Sequence, residues 1–192
     1  MSIVAVTGGI GSGKSVVSRV LRMRGYTVVD TDSHAKAIMD ADDEIKRRIA
    51  DEICAEAIDA DGAIDRPRLA AVVFADAEML ARLNGIVHGK VRESIARMAA
   101  EARGHLFVET AIFFQSGLNR MADAEWRVVC PDELRVERVM RRNGITLSQV
   151  LERIASQNFE PASDEVRPPL TLIVNDGRQP ILPQLDAALT RL

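Results

Sequence analysis

The chain is poor in the residues that crosslink, coordinate metals or grip polyanionic surfaces. It has two cysteines in 192 residues, Cys54 and Cys130, far apart and without metal-ligand spacing. That excludes a disulfide scaffold and a cysteine metal site, and leaves two reduced thiols as the expectation. Lysine is scarce, four residues against 21 arginines, and the net charge is −3 with no basic run. Nothing therefore points to nucleic acid or a membrane surface as a partner. No apolar run approaches the roughly 18 residues of a membrane span. No signal-like segment precedes the first apolar stretch near Met1, so a cytoplasmic location is expected.

What is present is ordinary in bulk: 47% hydrophobic and 28% charged residues. A chain of this length suits one domain, or one core with an insertion, and buries about 70% of its unfolded surface. One stretch is not ordinary. Gly8-Gly9-Ile10-Gly11-Ser12-Gly13-Lys14-Ser15 fits G-x-x-x-x-G-K-[ST], the loop whose backbone N–H groups cradle nucleotide phosphates. Its flanks suit it. Ile3–Thr7 reads as a buried strand and the residues from Lys14 to Met23 as a helix, whose N-terminus favours an anion.

Gly25 is placed to stop that helix, and Tyr26–Val29 reads as a second strand running into Asp30-Thr31-Asp32. In an open α/β sheet, ligands bind beyond the carboxyl ends of the strands, so these acids share a crevice with the glycine loop. From Ser33 to about Arg103 the pattern reads as almost wholly helical. We expect helices at Ser33–Met39 with Ser33 as cap, at Asp42–Ala57 with Ile45, Ile49, Ile53 and Ala57 on one face, after Pro67, and at Ala77–Arg103. After Pro67, Leu69, Val72, Val73 and Phe74 fall at helical spacing, and Asp59–Gly62 reads as a turn without the ligands of a calcium loop. So much helix between two strands implies an inserted subdomain over the crevice, suited to a second substrate.

Further strands are expected at Leu106–Val108, ending at Glu109, at Trp126–Cys130 and at Leu170–Val174. A helix from Asp132 carries Arg135, Arg138 and Arg142 on one face and stops at Asn143-Gly144. A second, from Leu147 to about Gln157, brings Arg153 and Gln157 together, giving an arginine-rich hairpin. Phe159–Pro169 reads as a loop, Asn175-Asp176-Gly177 as a turn and Ile181–Leu192 as a last amphipathic helix. The fold class is α/β: a five-stranded parallel sheet flanked by helices.

Phosphoryl transfer needs positioning and charge neutralisation more than covalent chemistry. Lys14 is placed to hold the β- and γ-phosphates, and the Ser15 hydroxyl to ligate Mg2+, with Asp30 or Glu109 contributing through water. Asp30 and Asp32 compete to orient an acceptor hydroxyl and take its proton. Arg138 and Arg142 could clamp the migrating phosphate charge.

The block from Val6 to Met39, VTGGIGSGKSVVSRVLRMRGYTVVDTDSHAKAIM, resembles the opening of the dephospho-CoA kinase family. Further matches follow in order: Ile64-Asp65-Arg66, Leu69 and Phe74, His88, Glu109–Phe114 with Ser116-Gly117, Arg138, Arg142 and Gly144, Arg153 with Ala155-Ser156-Gln157, and the turn from Ile173 to Gly177. The resemblance implies a P-loop kinase with a helical substrate-binding insert (33–103), a helical lid (about 132–158) and a nucleotide-binding core (1–32 and 104–192). It implies transfer of the ATP γ-phosphate to the ribose 3′-hydroxyl of dephospho-CoA, the last step of coenzyme A synthesis. ATP contacts are then expected from Gly9, Gly11, Ser12, Gly13, Lys14, Ser15 and Val16, with Arg138 and Arg142 closing from the lid. Asp32 takes the place of the catalytic base, with Lys14 also catalytic, and Arg66 and His88 fall in the region that receives the CoA moiety. Val16, Gly89, Gln115 and Leu170 depart from the family's usual residues. A kinase of another small hydroxyl compound is the alternative within the same architecture. A nucleotide switch is disfavoured by the absence of an N-K-x-D segment.

Overall fold

The computed structural model describes residues 2–155 and 165–192. Gln157, the end of the expected lid and residues 159–164 of the expected loop lie outside the described residues.

Two compact units emerge, residues 1–30 with 98–192, and residues 31–97. The first holds all five strands: β1 (Ile3–Thr7), β2 (Thr27–Asp30), β3 (Leu106–Glu109), β4 (Ala124–Val129) and β5 (Leu170–Val174). Every pairing is parallel and the order is β2-β3-β1-β4-β5. Strands buried on both faces read as continuous apolar runs, which is why Ile3–Thr7 was legible as a strand. Helices α1 (Lys14–Met23) and α8 (Ile181–Leu189) supply Val17, Leu21, Leu185 and Ala188 to a core shared with Val4, Val6, Phe107, Trp126, Val128 and Ile173. Phe107 lies 5.1 Å from Trp126 and 5.2 Å from Tyr26, centroid to centroid. Each large apolar side chain buried here contributes roughly 1.5–3 kcal/mol. Helices α6 (Asp132–Asn143) and α7 (Leu147–Ala155) form the hairpin between β4 and β5.

β4 begins two residues earlier than its apolar pattern suggests and ends one residue sooner. The early start takes in Glu125, a charged residue only 3% exposed yet fully engaged in the sheet. Thr7 Oγ1 donates to it at 2.6 Å from β1, and Arg127 donates through Nε at 2.8 Å and Nη2 at 3.2 Å.

The second unit contains α2 (Thr31–Ala41), α3 (Asp43–Glu52), α4 (Arg66–Ala75) and most of α5 (Ala77–Glu101). Its core is Ile45, Ile49, Ala57, Leu69, Val73 and Ile86. Three expectations are corrected. The helix expected from Ser33 starts at Thr31, so Ser33 is inside it and Asp32 occupies the first turn, where a carboxylate favours the helix N-terminus. The helix expected to reach Ala57 stops at Glu52, because Cys54 turns extended (φ −161°) and a 3-10 turn follows at Ala55–Ala57. That break serves a small antiparallel bridge, Ile58 to Ile64, around a turn in which the Asp59 carboxylate accepts from the N–H groups of Asp61 and Ala63 at 3.0 and 2.8 Å. Third, Phe74 is 79% exposed: α4 turns Leu69 and Val73, four residues apart, inward.

Candidate active site

Four features meet at the carboxyl edge of the sheet in the first unit: the loop after β1, the ends of β2 and β3, the root of α6 and the turn after β5. Asp30 closes β2 directly opposite Glu109 on β3, and Glu109 in turn pairs with Val6 next to the loop. Asp32 lies two residues beyond the end of β2, in the first turn of α2.

The loop is tightly held. Gly13 is the N-cap of α1 with φ +99°, a conformation that favours glycine, and a Cβ there would collide with the Asn175 side chain. A Cβ on Gly9 would collide with the Arg135 guanidinium, and one on Gly11 would stand 2.7 Å from the Arg135 carbonyl. Lys14 begins α1 and donates from Nζ to the Gly8 carbonyl at 2.7 Å. Ser15 and Val16 follow on the exposed side of the first turn. Because the first turn of a helix leaves its N–H groups without intrahelical acceptors, this end can receive an anion. Ser12 Oγ and Arg135 Nη2 are buried without a hydrogen-bond partner among the described residues. Both residues line the open space beside the loop, where an incoming polar group would meet them. A cavity of about 210 Å³ beside the loop is lined by Gly8, Gly9, Ser12, Arg127, Cys130 and Arg135 among others.

The three arginines on α6 do different things. Arg138, named from the sequence, donates from Nη1 to Cys130 Sγ at 3.1 Å and to the Asn175 carbonyl at 3.2 Å. Arg142 donates to its neighbour Asn143 at 2.8 Å on the exposed side. Arg135, which sequence reasoning placed on the same face without a role, is the one that touches the glycine loop. Its Nε donates to the Ile10 carbonyl at 3.0 Å and its Nη1 to Asp132 at 2.7 Å. Burial pushes the Cys130 thiol above its ordinary range, although Arg138 and Arg135 pull the other way, so it is a neutral lining group.

In the helical unit, Arg66 starts α4 and pairs with Asp40 on α2 at 2.7 Å. His88 is half-buried on α5, and burial, then the nearby Arg92 charge, lowers its pKa, favouring the neutral imidazole. His34 contacts Ser94 at 2.9 Å. Lys90 pairs with Glu44 and, at 3.7 Å, with Asp42.

Among the described residues, no group of three or more His, Cys, Asp or Glu could hold a metal. What the sheet edge offers is a serine hydroxyl and two carboxylates, a hard-oxygen set that suits Mg2+ carried by nucleotide phosphates and not a dedicated protein cage. Among those residues no helix is long and apolar enough to cross a membrane.

Known proteins resemble this arrangement over nearly its whole length. A relative from Deinococcus radiodurans named dephospho-CoA kinase is 39% identical, covering 98% of this chain and 91% of its own. Another of that name, from Porphyromonas gingivalis, is 37% identical over 83% of this chain and 79% of its own. A Thermus thermophilus protein of known crystal structure superposes with a TM-score of 0.78 at 34% identity, covering 100% of this chain and 97% of its own. The Campylobacter jejuni dephospho-CoA kinase shares the fold, with a TM-score of 0.65 at 22% identity over 98% and 96% of the two chains. The family model for dephospho-CoA kinase matches residues 2–179, which takes in the glycine loop, the acids at the end of β2 and the start of α2, the helical unit and the α6–α7 hairpin, and the chain belongs to that family.

Proposed function

We propose that this kinase transfers the γ-phosphate of ATP to the ribose 3′-hydroxyl of dephospho-CoA, giving coenzyme A and ADP, with the roles divided as follows. The glycine loop, Gly9, Gly11, Ser12 and Gly13, presents backbone N–H groups to the phosphates, helped by Ser15 and Val16 at the start of α1. Lys14, now bonded to the Gly8 carbonyl, swings its ammonium onto the β- and γ-phosphates as a mobile point charge. Arg138 and Arg142 close from the α6–α7 hairpin, which serves as the lid. Ser15, with Asp30 or Glu109 through water, would hold Mg2+, which would supply charge neutralisation on the phosphates. Asp32 orients the acceptor hydroxyl and removes its proton, an effect typically on the order of 100- to 10,000-fold. Arg66 and His88 belong to the helical insert that receives the CoA moiety, and a neutral His88 suits hydrogen bonding to a polar acceptor.

The observation that carries this reading is the fit of the loop itself. A glycine-lined turn is held at its crowded positions by Arg135 and Asn175 and continues straight into a helix that begins with lysine. Incubation with ATP, Mg2+ and dephospho-CoA, beside a panel of nucleoside monophosphates and sugar acids, tests it. Coenzyme A and ADP should form in equal amounts; phosphorylation of a panel member without coenzyme A would sink the reading.

A further inference from the structure

Asn175 follows the last residue of β5 and is 9% exposed. Its backbone N–H donates to the Val129 carbonyl at 2.8 Å, which fixes it to the end of β4. Just before it, Gln184 on α8 clamps Val174 from both sides of the peptide, accepting from its N–H at 2.7 Å and donating to its carbonyl at 3.0 Å. Just after it, the Asp176 carboxylate accepts from the N–H groups of Arg178 and Gln179, both at 2.8 Å, which closes the turn and holds that carboxyl below its usual range. Asn175 is therefore mounted on a rigid strand end.

From that mount its carboxamide reaches the glycine loop. Nδ2 donates to the Ser12 carbonyl at 2.8 Å in a buried bond between residues 163 apart in sequence. The same nitrogen fills the space where a Gly13 Cβ would be. Its own backbone carbonyl accepts from Arg138 Nη1 at 3.2 Å. One residue thus touches the loop with its side chain and the lid helix with its main chain.

The geometry points to Asn175 as a positioning residue for the nucleotide phosphates, a reading that rests on the glycine loop being the ATP site. In a planar trans peptide the C=O and the following N–H point in opposite directions. Fixing the Ser12 carbonyl toward Asn175 therefore fixes the Gly13 N–H away from it, toward the opposite side of the loop. The hydrogen bond also polarises that peptide, which strengthens the N–H as a donor. Arg138, tied to the Asn175 carbonyl, is registered to the same point, so loop and lid arginine share one reference.

The test is Asn175→Asp, which keeps the shape against Gly13 and replaces the donor with an acceptor, beside Asn175→Ala. ADP affinity by calorimetry, KM for each substrate, kcat and the nucleotide-free melting temperature are measured on the full chain. The parent must bind ADP; if it does not, the loop is not the nucleotide site and that reading fails first. With the parent binding, both variants should lose about tenfold in ADP affinity and raise KM for ATP by a similar factor, as loss of one buried hydrogen bond does. KM for dephospho-CoA should stay within about twofold and the melting temperature within a few degrees. The proposal is overturned by a folded variant whose ADP affinity stays within about twofold of the parent. It is equally overturned if both KM values rise together with a collapse in melting temperature, or if both variants fail to fold, since Asn175 would then hold the fold and not the loop.

Discussion

The two units of the molecule are stabilised in different ways. In the sheet unit, buried polar side chains reach partners far away in sequence: Thr7 to Glu125, Arg135 to Ile10, Asn175 to Ser12. Its loop glycines are crowded, so each missing Cβ is space that another residue uses. In the helical unit the glycines Gly62, Gly85 and Gly89 would meet nothing within 4 Å if they carried a Cβ. Its charges pair mostly within one helix and in the open, as Arg48 with Glu52 and Arg82 with Glu78, bonds worth little individually. The helical unit is held by an apolar stripe and tolerates change around it. The sheet edge is held by specific polar contacts and should not.

That contrast can be broken at three points, and the largest effect belongs to the loop. Gly13→Ala adds a Cβ at a positive φ and against the Asn175 amide. It should cut kcat/KM for ATP by about a hundredfold or more, read by steady-state kinetics, because strain of a few kcal/mol falls directly on the phosphate cradle. Next comes Glu125→Ala, which strands the partly buried Arg127 and the Thr7 hydroxyl. Denaturant unfolding should show a loss of about 3 kcal/mol. Smallest, and of opposite sign, is Gly85→Ala in the middle of α5. With open space around it and no positive φ, it should gain about 1 kcal/mol from helix propensity. A loss there, or a neutral outcome at Glu125, would erase the distinction between the units.

The same contrast explains what could be read without a structure. β1, α1 and β5 were legible to the residue because each is a local pattern: an apolar run, a glycine loop opening a helix, a run closed by Asn-Asp-Gly. The loop, Lys14 and the acids at the end of β2 and the start of α2 were legible for the same reason. Features that depend on a distant partner were not. For β4 the apolar run begins only at Trp126, and that Glu125 belongs to the strand shows only in its bonds to Thr7 and Arg127. α3 was overrun because only the Ile58–Ile64 bridge shows why the chain must leave the helix. Among the arginines of α6, the face was visible in the spacing, but the spacing could not say that Arg135 lies on the loop while Arg142 turns to Asn143. Asn175 read as a turn residue, and nothing local announces that its amide reaches Ser12.

The central claim is a division of labour: the loop binds ATP, and Asp32, in the first turn of α2, activates the acceptor. Asp32→Asn is nearly isosteric, so ADP affinity and turnover measured on this one variant test it most directly. The account predicts ADP affinity within about twofold of the parent and coenzyme A formation slowed on the order of 100- to 10,000-fold. Turnover within about tenfold of the parent, with ADP binding unchanged, would contradict it.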